Sequence, residues 1–327
     1  MKFEMANSQQ TFEDGETWFD EVRTKASPEL LEALEGFATK RGAWIAPGLA
    51  LQTPQPKTVP EFIEQIELLP AQDLWLALAG YHLPPLRDDL GSEVFLRAAA
   101  GDPDARRSIV RAARKYEDDI EEPPLLSMTP DEAKDRALHV MRLWHEEVFA
   151  SEEIGVAEVL ERDAAAKREL AATTTPEKLI EIATNGIEFR GERWVRRVAL
   201  IPLVVMRPWN VSSAWEDTWI ICYPVADESL GSDRAAPPPR MLRLYKALGD
   251  EKRLRVLKRL VAGSATLQEL ADSVGLAKSS AHHHMVILRS AGLVKVTDGP
   301  QRLYTLRTDT IPEASGLLHA FLEGGSS

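Results

Sequence analysis

The sequence predicts a mainly α-helical protein in two parts: a helical N-terminal domain that ends in a small β-hairpin, and a smaller C-terminal α/β unit. Three observations carry this. Apolar residues recur at helical spacing through most of residues 1–185. Two β-branched, apolar runs follow at residues 195–206 and 218–225. Beyond residue 240 come short capped helices and then two alternating strands around a turn.

The N-terminal helices show as stripes. Leu30, Leu31, Leu34 and Phe37 share a helical face, as do Phe62, Ile63, Ile66, Leu68 and Leu69. Ala137, Val140, Met141, Trp144 and Val148 form another stripe, and residues 159–170 read as a charged, alanine-rich helix. Residues 47–60 carry Pro47, Pro54, Pro56 and Pro60 and read as a loop; Pro123-Pro124 marks a second break. The two β-branched runs flank a polar stretch, 210–217, and are expected to pair as a hairpin with a long turn. Residues 226–240 end in Pro237, Pro238 and Pro239 and lack any apolar period, as a semi-rigid spacer does. The expected domains are therefore 1–230, a linker at 231–240, and 241–327.

A chain of 327 residues is long enough for two cores. Its one cysteine, Cys222, excludes a disulfide framework and a cysteine-based zinc site within one chain. No apolar run approaches the roughly 18 residues of a membrane helix. Met1-Lys2-Phe3-Glu4 does not open a secretory signal, so a cytoplasmic, nucleoid-associated protein is expected. The net charge of −12 hides an asymmetry: residues 239–327 hold 13 Lys/Arg against 8 Asp/Glu, whereas residues 1–238 hold 26 against 43. A small basic module follows a large acidic one. Affinity for a polyanion depends on where cations are placed, so the local charge counts for more than the sum.

In that module Asp250 is placed to cap a helix carrying Leu254, Leu257, Leu260 and Val261. Thr266 and Glu269 have capping-box spacing. Leu267, Leu270, Ala271 and Val274 then form one stripe, and Gly275 stands where a helix end wants positive φ. Leu276-Ala277 is a minimal turn before a second helix, 278–291, whose stripe is Ala281, Met285 and Leu288. Two short helices joined by a tight turn make a helix-turn-helix. The second helix carries Lys278, Ser279, Ser280, His282 and His283 on its other face, near the N-terminus that enters a major groove. Residues 293–297 and 303–307 alternate around an Asp298-Gly299 turn, which is a hairpin signal and here a wing. Arg302 at its tip, with Lys295 and Arg307 nearby, is expected to meet phosphates or the minor groove. An amphipathic last helix carries Ile311, Ala314, Leu317, Leu318, Phe321 and Leu322.

The stretch Ala247-Leu-Gly-Asp-Glu-Lys-Arg-Leu-Arg-Val-Leu257 resembles the opening helices of ArsR-type regulators. Residues 276–294, with paired histidines and a Leu-Arg-Ser-Ala-Gly-Leu-Val ending, resemble their recognition helix. The resemblance covers about residues 240–310 and implies a winged-helix homodimer on double-stranded DNA that acts on transcription, most simply as a repressor. It also implies dimer contacts through 241–247 and 311–323, which here offer Leu242, Tyr245, Leu317, Leu318 and Phe321. The N-terminal part is similar to a poorly characterised domain that recurs ahead of such winged helices. The family's metal sensors carry Cys-x-Cys on the helix before the recognition helix, and residues 267–273 have none. Asp309, His319 and Glu323 match only loosely the last-helix ligands of other members. Position 286 holds Val where a polar residue is expected.

Other readings stand beside this one. His282, His283 and His284 point about 100° apart on a helix and do not converge on one ion. His319 and Glu323 share a face, though a zinc site would need ligands from a partner. His139 and His145 are expected in the core or at a pocket edge. Trp194, Trp209, Trp215 and Trp219 suit a core or a dimer interface, or else an aromatic-lined pocket for a small-molecule effector. No phosphate loop, nucleophile elbow or HExxH is present, so neither an enzyme nor a cofactor is expected. The alternatives to a DNA-binding regulator are a degenerate winged helix used as a protein-docking surface, or a metal sensor.

Overall fold

A threonine or aspartate just ahead of a proline opens helix after helix in the N-terminal half. Thr58, Asp102, Thr129 and Thr175 each accept a first-turn backbone amide, and the proline at the first or second position has its φ preset for the helix. The computed structural model describes residues 15–35, 46–54, 57–115, 124–189, 191–205, 207–231, 236–297 and 302–323. The helices of the first part are α1 Gly15–Lys25, α2 Pro28–Glu35, α3 Ala46–Leu51, α4 Val59–Leu68, α5 Ala71–Leu78, α6 Pro84–Leu90, α7 Ser92–Ala99, α8 Pro103–Ala113, α9 Pro130–Trp144, α10 Glu153–Ala171 and α11 Pro176–Ala183. The expected loop at 47–60 thus contains α3, whose Pro47 lies in a first turn that needs no amide from it. Gly48 of α3 lies so close to the Trp215 ring that a Cβ there would overlap it. The acidic run 117–122 and Pro123 lie outside the described residues.

Several helices bury an apolar stripe. Trp75, Phe95 and Ile109 centre one cluster, Leu49, Ile66, Leu74 and Ala137 a second, and Leu30 and Val148 a third. The strands are β1 Ile187–Glu188, β2 Arg197–Leu203, β3 Val211–Trp215 and β4 Thr218–Pro224. The sheet order β2-β4-β3 corrects the expected pairing. β2 and β4 run parallel, and the hairpin is made by β3 and β4 around Glu216-Asp217. The polar stretch 210–217 is therefore mostly strand, its Ser213 buried on a crowded face. Trp219 and Ile221 face the Phe189 side, while Ile220 and Cys222 face Leu51 and Trp215. Trp219 and Trp215 pack on opposite faces of the sheet, Trp215 stacking on His82 at 3.8 Å, and Trp209 is buried ahead of β3. Burial pushes the Cys222 thiol up to about 11.

One charge sits inside this body. Asp163 of α10 is fully buried and accepts hydrogen bonds from the Tyr223 hydroxyl (2.7 Å), the Ala226 amide (2.8 Å) and the Ser229 hydroxyl (3.1 Å). The Lys167 ammonium lies 3.3 Å away. Burial opposes a charge here, yet these donors together outweigh it and hold the carboxyl below the usual aspartate range. The charged helix thereby fixes the end of β4 and the turn that leads out of it.

The second part comprises α12 Pro239–Leu248, α13 Glu251–Val261, α14 Leu267–Val274, α15 Lys278–Ser290, β5 Val294–Thr297, β6 Tyr304–Leu306 and α16 Thr310–Glu323. Its core gathers Leu244, Val256, Leu257, Leu260, Leu270, Met285, Leu288, Leu293 and Tyr304. On α13 the stripe differs from the expected one: Val256 is buried, while Leu254 and Val261 are exposed. Asp250 accepts from the Arg253 amide at 2.9 Å, and Arg253 in turn donates to the carbonyls of Lys246 and Ala247 at the end of α12. The capping box of α14 is complete, with Thr266 accepting from Glu269 and Glu269 accepting from Thr266. Replacing Thr266 by Ala is expected to cost about 1 kcal/mol. Urea unfolding of the full chain measures it, with Thr266→Ser expected to keep most of the cap.

The wing sheet has the order β1-β5-β6, so a strand that precedes the proline-rich spacer completes it. β1 runs parallel to β5, with Ile187 opposite Val296 and Glu188 opposite Thr297. Ala265 bridges to Tyr304 on the other edge. A second seat lies at Asp227, whose carboxylate binds Arg207, accepts the Arg240 amide at 2.7 Å and lies 3.7 Å from Arg243. No helix among the described residues is long and apolar enough to cross a membrane.

Candidate nucleic-acid interface

The α14–α15 corner is built by backbone rules. Gly275 adopts φ 64°, ψ 42°, a conformation that costs a side-chain-bearing residue about 1–2 kcal/mol, and the Leu276 amide closes the helix end on the Ala271 carbonyl at 3.0 Å. α15 then starts at Ala277, which supplies no side-chain acceptor, so its first-turn amides are donors for a phosphate oxygen. Ala281, Met285, Val286 and Leu288 are buried against the core, which accounts for an apolar residue at position 286. Lys278, Ser279, Ser280 and His283 are exposed on the first turns, and His282 is half-buried. The fold thus brings the expected base-reading residues to one end of one helix.

His284 turns inward. Its Nδ1 is 3.8 Å from the Asp250 carboxylate, and burial, only partly offset by that carboxylate, holds the ring below the usual histidine range. The His283 and His284 rings are 6.2 Å apart and inclined at 61°. Among the described residues, no group of three or more His, Cys, Asp or Glu is placed to hold a metal ion. His319 and Glu323 are both exposed. His139 stands 3.4 Å from Glu29 at the rim of an open cleft of about 740 Å³ lined also by Glu32, Met128, Glu132 and Asp135, and His145 pairs with Glu153 at 3.2 Å.

The wing places its cations unequally. Arg302 is half-buried at the start of the return strand; the expected turn at 298–301 lies outside the described residues. Lys295 is 3.9 Å from Glu181 of α11. Arg307, expected near the phosphates, is buried instead: it donates to Asn185 Oδ1 at 3.0 Å and lies 3.8 Å from Glu181. Buried arginines need such partners, because an unpaired guanidinium inside a protein is costly. Asn185, with φ 53°, also donates to the Ser290 carbonyl at the end of α15, at 3.4 Å. Asn185 and Glu181 are the residues sequence reasoning missed. The Asn185-Gly186 pair is a turn signal, but nothing local says which element the turn touches.

Of the expected dimer residues, Leu242 and Tyr245 are about 40% exposed on α12, and the Tyr245 hydroxyl donates to the Ala314 carbonyl of α16 at 3.2 Å. Leu317, Leu318 and Phe321 are half-buried on α16. The two helices pack together and present one partly apolar surface.

A helix-turn-helix domain profile matches residues 248–297, the span from the end of α12 to the end of β5. The HTH-type transcriptional regulator CmtR of Mycobacterium tuberculosis is 37% identical over 79 residues, which is 24% of this chain and 67% of that protein; CmtR of Mycobacterium bovis matches equally. This chain belongs to the ArsR-type helix-turn-helix regulators. A crystal structure of an ArsR family transcriptional regulator, RHA00566, is 27% identical and aligns with 27% of this chain and 98% of its own, with a TM-score of 0.24. In this ArsR-type regulator the matched span includes the whole recognition helix but not α16 or the body that donates β1.

Proposed function

We propose that this regulator is a homodimeric, sequence-specific DNA-binding repressor in which residues 1–230 serve dimerisation, sensing of a small-molecule effector, or both. Residues 231–240 connect that body to the DNA-binding module, 241–327. The observation that carries the reading is the division of α15 into a buried face and an exposed first-turn face of Lys278, Ser279, Ser280 and His283, next to a wing. In two protomers joined through α12 and α16, by Leu242, Tyr245, Leu317, Leu318 and Phe321, the recognition helices would stand about one DNA turn apart, roughly 34 Å. Lys278 anchors a phosphate, Ser279, Ser280, His282 and His283 read base edges, and Arg302 braces the wing. Lys295 lies beside Glu181, so its share in binding is the smallest of the set. The acidic bulk of that body points away from the phosphates, since its charge opposes DNA.

Footprinting of the tagged protein in its native host supplies the operator, and anisotropy on that duplex supplies the test. Lys278→Ala with His283→Ala is expected to weaken operator binding at least tenfold, with about 1–3 kcal/mol from the base-edge contact of His283 and the rest from the phosphate contact of Lys278, and with an unchanged dimer. Binding of the native protein should fall steeply with salt. Absence of any salt-dependent DNA binding overturns the reading in favour of a protein-docking winged helix.

A further inference from the structure

The wing has a neighbour that carries charge. Because β1 runs parallel to β5, with Glu188 level with Thr297, the chain beyond Glu188 leaves the sheet on the side of the wing tip. Its Phe189 packs at once against the Trp219 cluster of its own body, and the chain joins β2 at Arg197. In between, residues 191–197 read Gly-Glu-Arg-Trp-Val-Arg-Arg, three arginines against one glutamate in a body that is otherwise strongly acidic.

The loop is built rather than loose. The Val195 amide closes a turn on the Glu192 carbonyl at 3.0 Å, and the Arg196 and Arg197 amides both donate to the Asp217 carbonyl, at 2.8 and 3.1 Å. Trp194 and Val195 pack inward against the Trp219 cluster, which also holds Phe189. With the aromatic side chains inside, Arg193 and Arg196 are left exposed on the outer side, beside exposed Glu192. Arg197 is engaged by the Asp217 carboxylate at 2.9 Å. A fixed turn that presents arginines loses little side-chain freedom on meeting a phosphate, and arginine forms bidentate contacts there.

We propose that residues 191–197 are an accessory DNA-contact element, with Arg193 and Arg196 engaging the phosphate backbone beside the wing tip and so lengthening the footprint at its flanks. This rests on the DNA-binding reading above. It gives the acidic body one basic corner at the place where the β1–β5 pairing brings that body to the wing.

The test uses the full-length protein and the footprinted operator duplex, with log affinity followed against log salt concentration. Arg193→Ala with Arg196→Ala is expected to flatten the slope by about one per arginine that meets a phosphate, and to remove backbone protection at the operator flanks. Lys at both positions should restore most of the slope. Ser280→Ala with His283→Ala should keep the slope and lose operator preference. Equal unfolding midpoints verify that the variants are folded. An unchanged slope and unchanged flanks in the double alanine variant, with native binding intact, overturn the accessory contact and leave the function standing. A native protein that shows no salt-dependent binding overturns both.

Discussion

Replacing Asp163 by alanine is expected to destabilise the N-terminal body by about 3–5 kcal/mol, read as a lower urea midpoint for the full chain. The carboxylate is fully buried, and removing it strands the Tyr223 hydroxyl, the Ala226 amide and the Ser229 hydroxyl without their acceptor. It also leaves the Lys167 ammonium, 3.3 Å away and mostly buried, without its counter-charge. The effect carries a pH signature. The folded carboxyl holds its proton more weakly than an unfolded aspartate, whose pKa is about 3.9. Its contribution is therefore complete above about pH 5 and is lost as pH falls through the acid range below that. Asp163→Asn should flatten this acid limb of the stability curve. A native-like midpoint for Asp163→Ala, or an unchanged acid limb for Asp163→Asn, counts against the network as a stabilising element.

The second large effect is expected at Gly292, between the recognition helix and the wing. Its φ is 68°, its amide closes α15 on the Arg289 carbonyl at 2.8 Å, and its carbonyl accepts from the buried Thr310 hydroxyl at 2.9 Å. A Cβ at this position would overlap the Asn185 side-chain oxygen. Gly292→Ala therefore adds about 1–2 kcal/mol of backbone strain and about 1–3 kcal/mol of overpacking, with a total of about 2–5 kcal/mol. It also displaces the acceptor of Arg307, so the operator affinity of whatever remains folded should fall as well. Asn185→Ala removes the overlapping atom and should recover part of the loss when combined with Gly292→Ala. Strict additivity of the two changes would show that the sites do not touch.

The winged helix was legible because its signals are local. Thr266 with Glu269, Gly275 at a helix end, and the serines ahead of the Ala281–Leu288 stripe each act within a few residues of themselves. Capping by Asp250 was legible for the same reason. What escaped depends on partners far along the chain. β3 reads as a polar turn because serine and alanine, which suit a crowded sheet face, carry no alternating hydrophobic signal. The parallel pairing of β2 and β4 is set by what packs on the sheet, not by the turn beside it. Asp163 is one acid among many on a charged helix until residues 223–229 fold over it. Arg307 sits in a wing strand and reads as a surface cation, yet Asn185 and Glu181 draw it inside. Leu254 and Val261 fit a helical stripe by spacing, but the face of α13 that meets the core carries Val256, Leu257 and Leu260 instead.

The short strand β1 has a consequence for how the chain is made and for how it can be cut. Ile187 and Glu188 leave the ribosome about a hundred residues ahead of Val296 and Thr297, which is roughly 5–20 s of synthesis. Over that interval the helical body can mature, whereas the DNA-reading module cannot close its sheet until β5 has been made. A fragment starting at the proline-rich spacer would keep the recognition helix but bare one edge of β5 to other chains. The reading head is thus not a cassette that can be lifted out and grafted elsewhere: one of its strands is inherited from the part of the protein made before it.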